Sequence, residues 1–112
     1  MLNVGVMQMD GVVVVHADGR IDSNNANELG VALSGVIDDG QIHIVLDLST
    51  VSYMSSAGLR ELVIALKKVR AVDTGDMRLV QPSDRVMEVL EMAGLDTVFE
   101  IFPSQDDAVG SF

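Results

Sequence analysis

Ile42-His43-Ile44-Val45-Leu46-Asp47-Leu48, then Ser49-Thr50-Val51-Ser52-Tyr53-Met54, then Ser55-Ser56-Ala57-Gly58-Leu59-Arg60 is the stretch that decides how this 112-residue chain reads. Residues 42–48 are a short apolar run, rich in β-branched side chains and free of Gly and Pro. That is the pattern of a strand buried on both faces. From Leu59 the period changes: Leu59, Leu62, Val63, Leu66 and Val69 recur at the spacing of one helix face. The stretch therefore predicts a strand over 42–48, a loop, and a helix reaching Val72 with two serines in its first turn. The first turn of a helix carries N–H groups without intrahelical partners and the positive end of the helix dipole. Serine is a preferred N-cap, so capping by Ser55 or Ser56 is the simplest role. The other role is an exposed phosphoacceptor at a place that welcomes an anion. The two are compatible, because one serine can cap while the next presents its hydroxyl to solvent.

Upstream, residues 4–9 and 12–17 are apolar runs on either side of Asp10-Gly11, a tight-turn signal that makes them a hairpin with 4–9 at the sheet edge. Asp18-Gly19 is expected to end the second strand. Asn25 with Glu28 three residues later resembles a capping box, and Ala26, Leu29, Leu33, Val36 and Ile37 trace a helix face that Asp38-Asp39-Gly40 terminates. Downstream, residues 73–76 read as a turn and 77–80 as a strand. Ser83 caps a short helix with Val86, Val89 and Leu90 facing inward, and Gly94 is its C-cap. Residues 98–102 read as the last strand, and Pro103-Ser104 opens a final short helix or a frayed tail. A hairpin followed by alternating helices and strands gives an α/β domain with parallel neighbours and right-handed crossovers. The expected architecture is a mixed sheet of about four to five strands with helices packed on it. The serine loop then falls at the carboxyl end of the central strand, where open α/β sheets place their sites. Asp47, at the same strand end, is positioned to fix that loop by hydrogen bonds.

A length of 112 residues fits one domain, and 48% hydrophobic with 21% charged residues is a globular composition. Aromatics are 4%, so Val, Leu, Ile, Met and Ala must build the core. With no cysteine, disulfides, thiolate metal sites and cysteine nucleophiles are excluded. A net charge of −10 argues against nucleic acid or an anionic membrane as partner. Arg60, Lys67, Lys68 and Arg70 place four of the seven basic residues on the helix after the serines, as a solvated face or a partner-docking surface. The first seven residues have no Lys or Arg, so they make a poor signal peptide, and Val12–Val15 is too short to span a bilayer. A cytoplasmic monomer is expected. His16 and His43 are isolated and read as ordinary strand residues, not metal ligands. Ser56 lacks a Gly-x-Ser-x-Gly elbow, and the loop has no phosphate-binding lysine. Neither an enzyme nor a cofactor is expected.

Asp47-Leu48-Ser49-x-Val51-x-Tyr53-Met54-Ser55-Ser56-Ala57-Gly58-Leu59 resembles the signature of STAS domains, the fold shared by sulphate transporters and anti-sigma factor antagonists. It is most similar to the single-domain antagonists of bacterial partner-switching systems, which implies one STAS domain over residues 1–112. In that family the serine two residues before the loop glycine is phosphorylated by an anti-sigma kinase. Here that serine is Ser56, with Gly58 as the glycine. The chain departs from the pattern at Ser55, where many antagonists have Asp, and at Ala57, where Ser or Thr is frequent; Ser55 is the alternative acceptor. Gly19-x-Ile21-Asp22 with Ala26-x-x-Leu29 corresponds to the family's second block and puts Asp22 near the loop; by sequence alone Asp22 is a cap or turn residue. The resemblance implies an anti-sigma factor/serine kinase as partner and a serine phosphatase to reset the switch. The docking surface would be Asp22, Ser55, Ser56, Ala57, Gly58, Leu59 and Arg60, with the helix from Gly58 to Val72. Gly58 would matter because it has no side chain to block a partner's approach, or for turn geometry alone. Two other roles fit the same loop: a constitutive scaffold or transport accessory subunit, and nucleotide sensing at the helix N-terminus.

Overall fold

Asp10 and Gly11 both adopt positive φ, 52° and 79°, the requirement of the type I′ turn whose twist suits a two-residue hairpin. In the computed structural model, which describes residues 2–112, this turn joins β1 (Asn3–Met9) to β2 (Val12–Ile21). Met1, part of the segment weighed as a signal peptide, lies outside the described residues. There follow α1 (Ala26–Asp38), β3 (His43–Met54), α2 (Ser56–Arg70), β4 (Asp76–Val80), α3 (Asp84–Met92), a 3₁₀ turn at Leu95–Thr97, β5 (Ile101–Phe102) and α4 (Gln105–Gly110).

The five strands lie in chain order, β1-β2-β3-β4-β5, with β1 antiparallel to β2 and every later pair parallel. Each crossover steps one strand further in the same direction. Right-handed crossovers that all advance one way put their helices on one face. Accordingly Leu29 and Leu33 of α1, Leu62 and Leu66 of α2, and Val86 and Leu90 of α3 form one core with Val13, Val15, Ile44, Leu46, Met77 and Leu79 of the sheet. The other face, Val12, Val14, Val45 and Val80, is covered by Ala108 and Val109 of α4, with Met9, Phe102 and Phe112 around them. The guanidinium of Arg78 pins this cover by stacking 4.0 Å over the Phe112 ring and donating to Ser111 Oγ. No helix among the described residues is long and apolar enough to cross a membrane.

The structure moves several predicted boundaries. Asp18-Gly19 does not end β2. The strand passes through them with register shifts between His16 and Asp18 and between Gly19 and Arg20, and Gly19 takes φ 114°. Residues 49–54 are strand, not loop, because the extended β2 partners them as far as Ile21↔Met54. Thus α2 starts at Ser56 and ends at Arg70, with Val72 in the closing turn. The last strand is only Ile101–Phe102: Val98 and Phe99 both donate backbone bonds to the Leu95 carbonyl and so close the end of the 3₁₀ turn instead of extending the strand. Asn25 does not form a capping box with Glu28. Its Oδ1 accepts from the Asp22 N–H (2.9 Å) and its Nδ2 donates to the Arg20 carbonyl (2.8 Å), so the local turn takes the side chain that the helix would have used.

Candidate functional site

The long β2–β3 pair delivers two chain segments to the same end of the sheet. Ser55 leaves β3 and donates its N–H to the Ile21 carbonyl (2.9 Å) where β2 ends. Its backbone is extended, at φ −84° and ψ 170°, and its Oγ accepts from the Gly58 N–H (3.3 Å), so Ser55 is the N-cap of α2. Ser56 is the first helical residue and is exposed. The first turn of α2 holds no acidic residue, whereas those of α3 and α4 hold Asp84 and Asp106 with Asp107. The positive end of the α2 dipole is therefore not offset by a side chain of its own turn.

Gly58 and Leu59 point inward and are buried. A Cβ on Gly58 would meet Ile21 Cγ2 at 2.8 Å and Met54 Cγ at 2.9 Å. The missing side chain thus serves the packing of α2 onto the ends of β2 and β3. It does not clear the outer surface, and its backbone is helical, so neither sequence-based account of this glycine holds. Ser56 and Arg60 face outward, and Ala57 is half-buried, packed in part against the core. With Ser23, Ala26 and Asn27 of the α1 side, and Glu61 and Ile64 of α2, they line an open groove of about 620 Å³ between α1 and α2. Beyond it, Gly30 lets the two helices approach closely, since a Cβ there would strike the Glu61 carboxylate.

Asp22 sits one residue beyond the Ile21–Ser55 bond. Its Oδ1 accepts from the N–H groups of Asn24 (2.9 Å) and Asn25 (3.2 Å), and its carbonyl accepts from Ala26 N (2.9 Å). It shapes the turn that starts α1, as a cap or turn residue would. Arg20 Nε lies 4.0 Å from Asp22 Oδ2, and the Arg20 guanidinium stacks 4.2 Å above Tyr53. Sequence reasoning does not name Arg20, Ser23, Asn27, Glu61 or Ile64 as site residues, and it has Tyr53 only as a position of the family signature. The available signal was helical spacing: 56, 57, 60, 61 and 64 are the complement of the apolar α2 face.

Asp47 lies elsewhere. Because β3 continues to Met54, Asp47 is mid-strand and does not touch the serine loop. Its Oδ1 accepts from the Ser49 N–H (2.9 Å) and its Oδ2 pairs with His16 Nδ1 (3.0 Å) across the β2 irregularity. Burial works to raise its pKa, but the Ser49 and His16 hydrogen bonds win and hold it below the ordinary 3.8. His43 stacks on Phe112, ring centroids 4.9 Å apart, and bonds the Thr74 carbonyl.

The family model of the STAS domain matches residues 3–108. The chain belongs to the STAS domain family. Among its relatives is a candidate anti-sigma factor antagonist, BtrV of Bordetella bronchiseptica, 33% identical over 105 residues that cover 94% of this chain and 90% of BtrV. Another is the anti-sigma-F factor antagonist RsfB of Mycobacterium tuberculosis, 30% identical over 109 residues, covering 96% of this chain and 87% of RsfB. The crystal structure of an anti-sigma factor antagonist from Mycobacterium paratuberculosis superposes with a TM-score of 0.91 at 30% identity, over 99% of this chain and 93% of that one. These STAS relatives carry the names of regulators, and the fold comparison spans the groove, the serine loop and both sheet faces of this STAS domain alike.

Proposed function

We propose that this STAS domain is a phosphorylation-controlled anti-sigma factor antagonist, acting by binding and not by catalysis, in the cytoplasm. Unphosphorylated, it docks on an anti-sigma factor that is also a serine kinase, through the groove rim of Ser56, Ala57 and Arg60 and the α1 turn that Asp22 shapes. Phosphorylation of Ser56 releases that partner, and a serine phosphatase restores binding. The observation that carries this reading is the division of labour between the two serines: the Ser55 hydroxyl is engaged by the Gly58 N–H, while Ser56 is exposed on the groove rim. Ser55, the alternative acceptor, would have to give up its cap to be modified. A phosphate on Ser56 adds about −1.5 to −2 charge. The helix N-terminus stabilises that charge locally, so the fold changes little, while a partner complementary to the unmodified rim meets new charge beside Glu61. The names of the relatives support the antagonist role.

The test is intact-mass and site mapping after incubation with ATP and the cognate anti-sigma kinase, comparing wild type with Ser55→Ala and Ser56→Ala. One phosphoryl group that vanishes only in Ser56→Ala is expected, together with loss of kinase binding in Ser56→Asp. A modification lost only in Ser55→Ala moves the acceptor to Ser55 and overturns the assignment to Ser56, whereas no phosphorylation of the folded protein, or a Ser56→Asp variant that binds as wild type, overturns the switch and favours a constitutive scaffold.

A further inference from the structure

Asn3-Val4-Gly5-Val6-Met7-Gln8-Met9 forms an edge strand with no charged residue and no proline, in a chain that carries 17 acidic and 7 basic residues. Edge strands are usually blunted by charge, proline, a bulge or a covering element, because their free N–H and C=O groups invite another strand. β1 has no bulge: it pairs with β2 in unbroken register from Asn3↔Asp18 to Met9↔Val12. The type I′ turn determines which of its backbone groups face β2. The closing pair Met9–Val12 exchanges both hydrogen bonds, and so does every second pair after it, at Met7, Gly5 and Asn3. Val4, Val6 and Gln8 therefore aim their N–H and C=O groups away from the sheet. Among the described residues no backbone group outside the sheet bonds to them.

This outward set is symmetric about Val6. A two-fold axis at Val6 sets Val4 opposite Gln8, Val6 opposite Val6 and Gln8 opposite Val4 in a second molecule, each pair exchanging both of its bonds. The side chains agree with that register. Val6, 55% exposed, shares a face with Val15 and would meet its own copy there. Met7, 52% exposed on the opposite face, would fall across from Gly5, where nothing lies within 4 Å of an added Cβ and the thioether has room. We propose that a second copy of this chain pairs antiparallel along β1, centred on Val6, and joins two five-stranded sheets into one. Self-pairing of an antiparallel strand is the isologous contact that a two-fold axis generates. The opposing force is the −10 charge of each copy, none of which sits on the strand itself. That repulsion is long-range and screened by salt, so salt tightens this association, the reverse of an ion-paired interface. The serine loop stays open, because β2 separates β1 from the strand that delivers Ser55.

Sedimentation equilibrium over a concentration series, at low and high NaCl, combined with amide-resolved hydrogen exchange, tests this. A reversible dimer that tightens with NaCl is expected. On dimerisation the amides of Val4, Val6 and Gln8 gain protection, whereas those of Gly5 and Met7 are already protected in the monomer. Val6→Pro removes the central outward N–H, and Val6→Lys sets like charges across the axis. Each should weaken the dimer at least tenfold, while Met92→Lys, at an exposed methionine on α3, leaves it unchanged. If Val6→Pro fails to fold, Val6→Lys decides. A monomer at every concentration and salt, a dimer indifferent to Val6→Lys, or protection appearing on other amides overturns the proposal.

Discussion

Ser55 commits its hydroxyl to the Gly58 N–H, whereas the hydroxyl of Ser56 stays in solvent. Loss of an N-cap costs about 1 kcal/mol, and exposed substitutions stay within about 0.5 kcal/mol. Urea denaturation should therefore find Ser55→Ala less stable by roughly that cap energy and Ser56→Ala close to wild type, although Ser56 is the residue proposed to switch binding. Gly58→Ala sets two effects against each other. Alanine gains about 1 kcal/mol over glycine inside a helix, but its Cβ would overlap Ile21 and Met54, and overpacking costs roughly 1–3 kcal/mol. The clash outweighs the helical gain, so a net loss of stability is expected in the same assay. Asp47 gives the pH dependence a sign. Its folded pKa lies below its unfolded one, so its contribution is complete above the ordinary value of 3.8 and is lost as pH falls through the folded pKa. Urea midpoints measured from about pH 5 downward should fall more steeply for wild type than for Asp47→Asn, which cannot titrate. Equal slopes would mean that the Ser49 and His16 bonds do not depress this carboxyl.

At the scale of elements, two glycines of α1 should respond in opposite ways. Gly35 has open space around it, so Gly35→Ala should stabilise the helix by about 0.5–1 kcal/mol. Gly30 faces α2, and an added Cβ there displaces Glu61, so Gly30→Ala should forfeit that gain; paired thermal melts read the difference. The helices and most strands were legible because periodicity and punctuation are local: Leu59, Leu62, Leu66 and Val69 mark one face, and Ser83 and Gly94 bracket α3 as read. What stayed illegible was non-local. Ser49–Met54 is polar enough to read as loop, and only the continuation of β2 past Gly19 makes it strand. Val98-Phe99 is apolar enough to read as strand, yet Phe99 is buried at the end of a 3₁₀ turn. The α2 half of the groove could have been read from helix spacing. The α1 half, Ser23 and Asn27, depends on how two helices meet, which no single segment records.

Across the whole molecule the −10 charge presses every charged surface apart. At a protein concentration low enough to keep the chain monomeric, Tm should rise as NaCl increases from near zero to physiological levels and then level off, because screening is by then largely complete. A Tm insensitive to salt would show that the seven basic residues already neutralise the field locally. The strand order β1-β2-β3-β4-β5 has a further consequence for how the molecule comes into being. A chain leaving the ribosome presents its strands in the order in which the sheet lays them side by side, so each newcomer joins the same advancing border and none must be threaded between two already in place. The helices that cover one face arrive in step with their strands. The other face waits: Val12, Val14, Val45 and Val80 stay uncovered until α4, the last of these elements to be synthesised, closes over them. The nascent chain therefore carries a bare valine surface for most of the synthesis of these elements, and that interval is when a chaperone would find it.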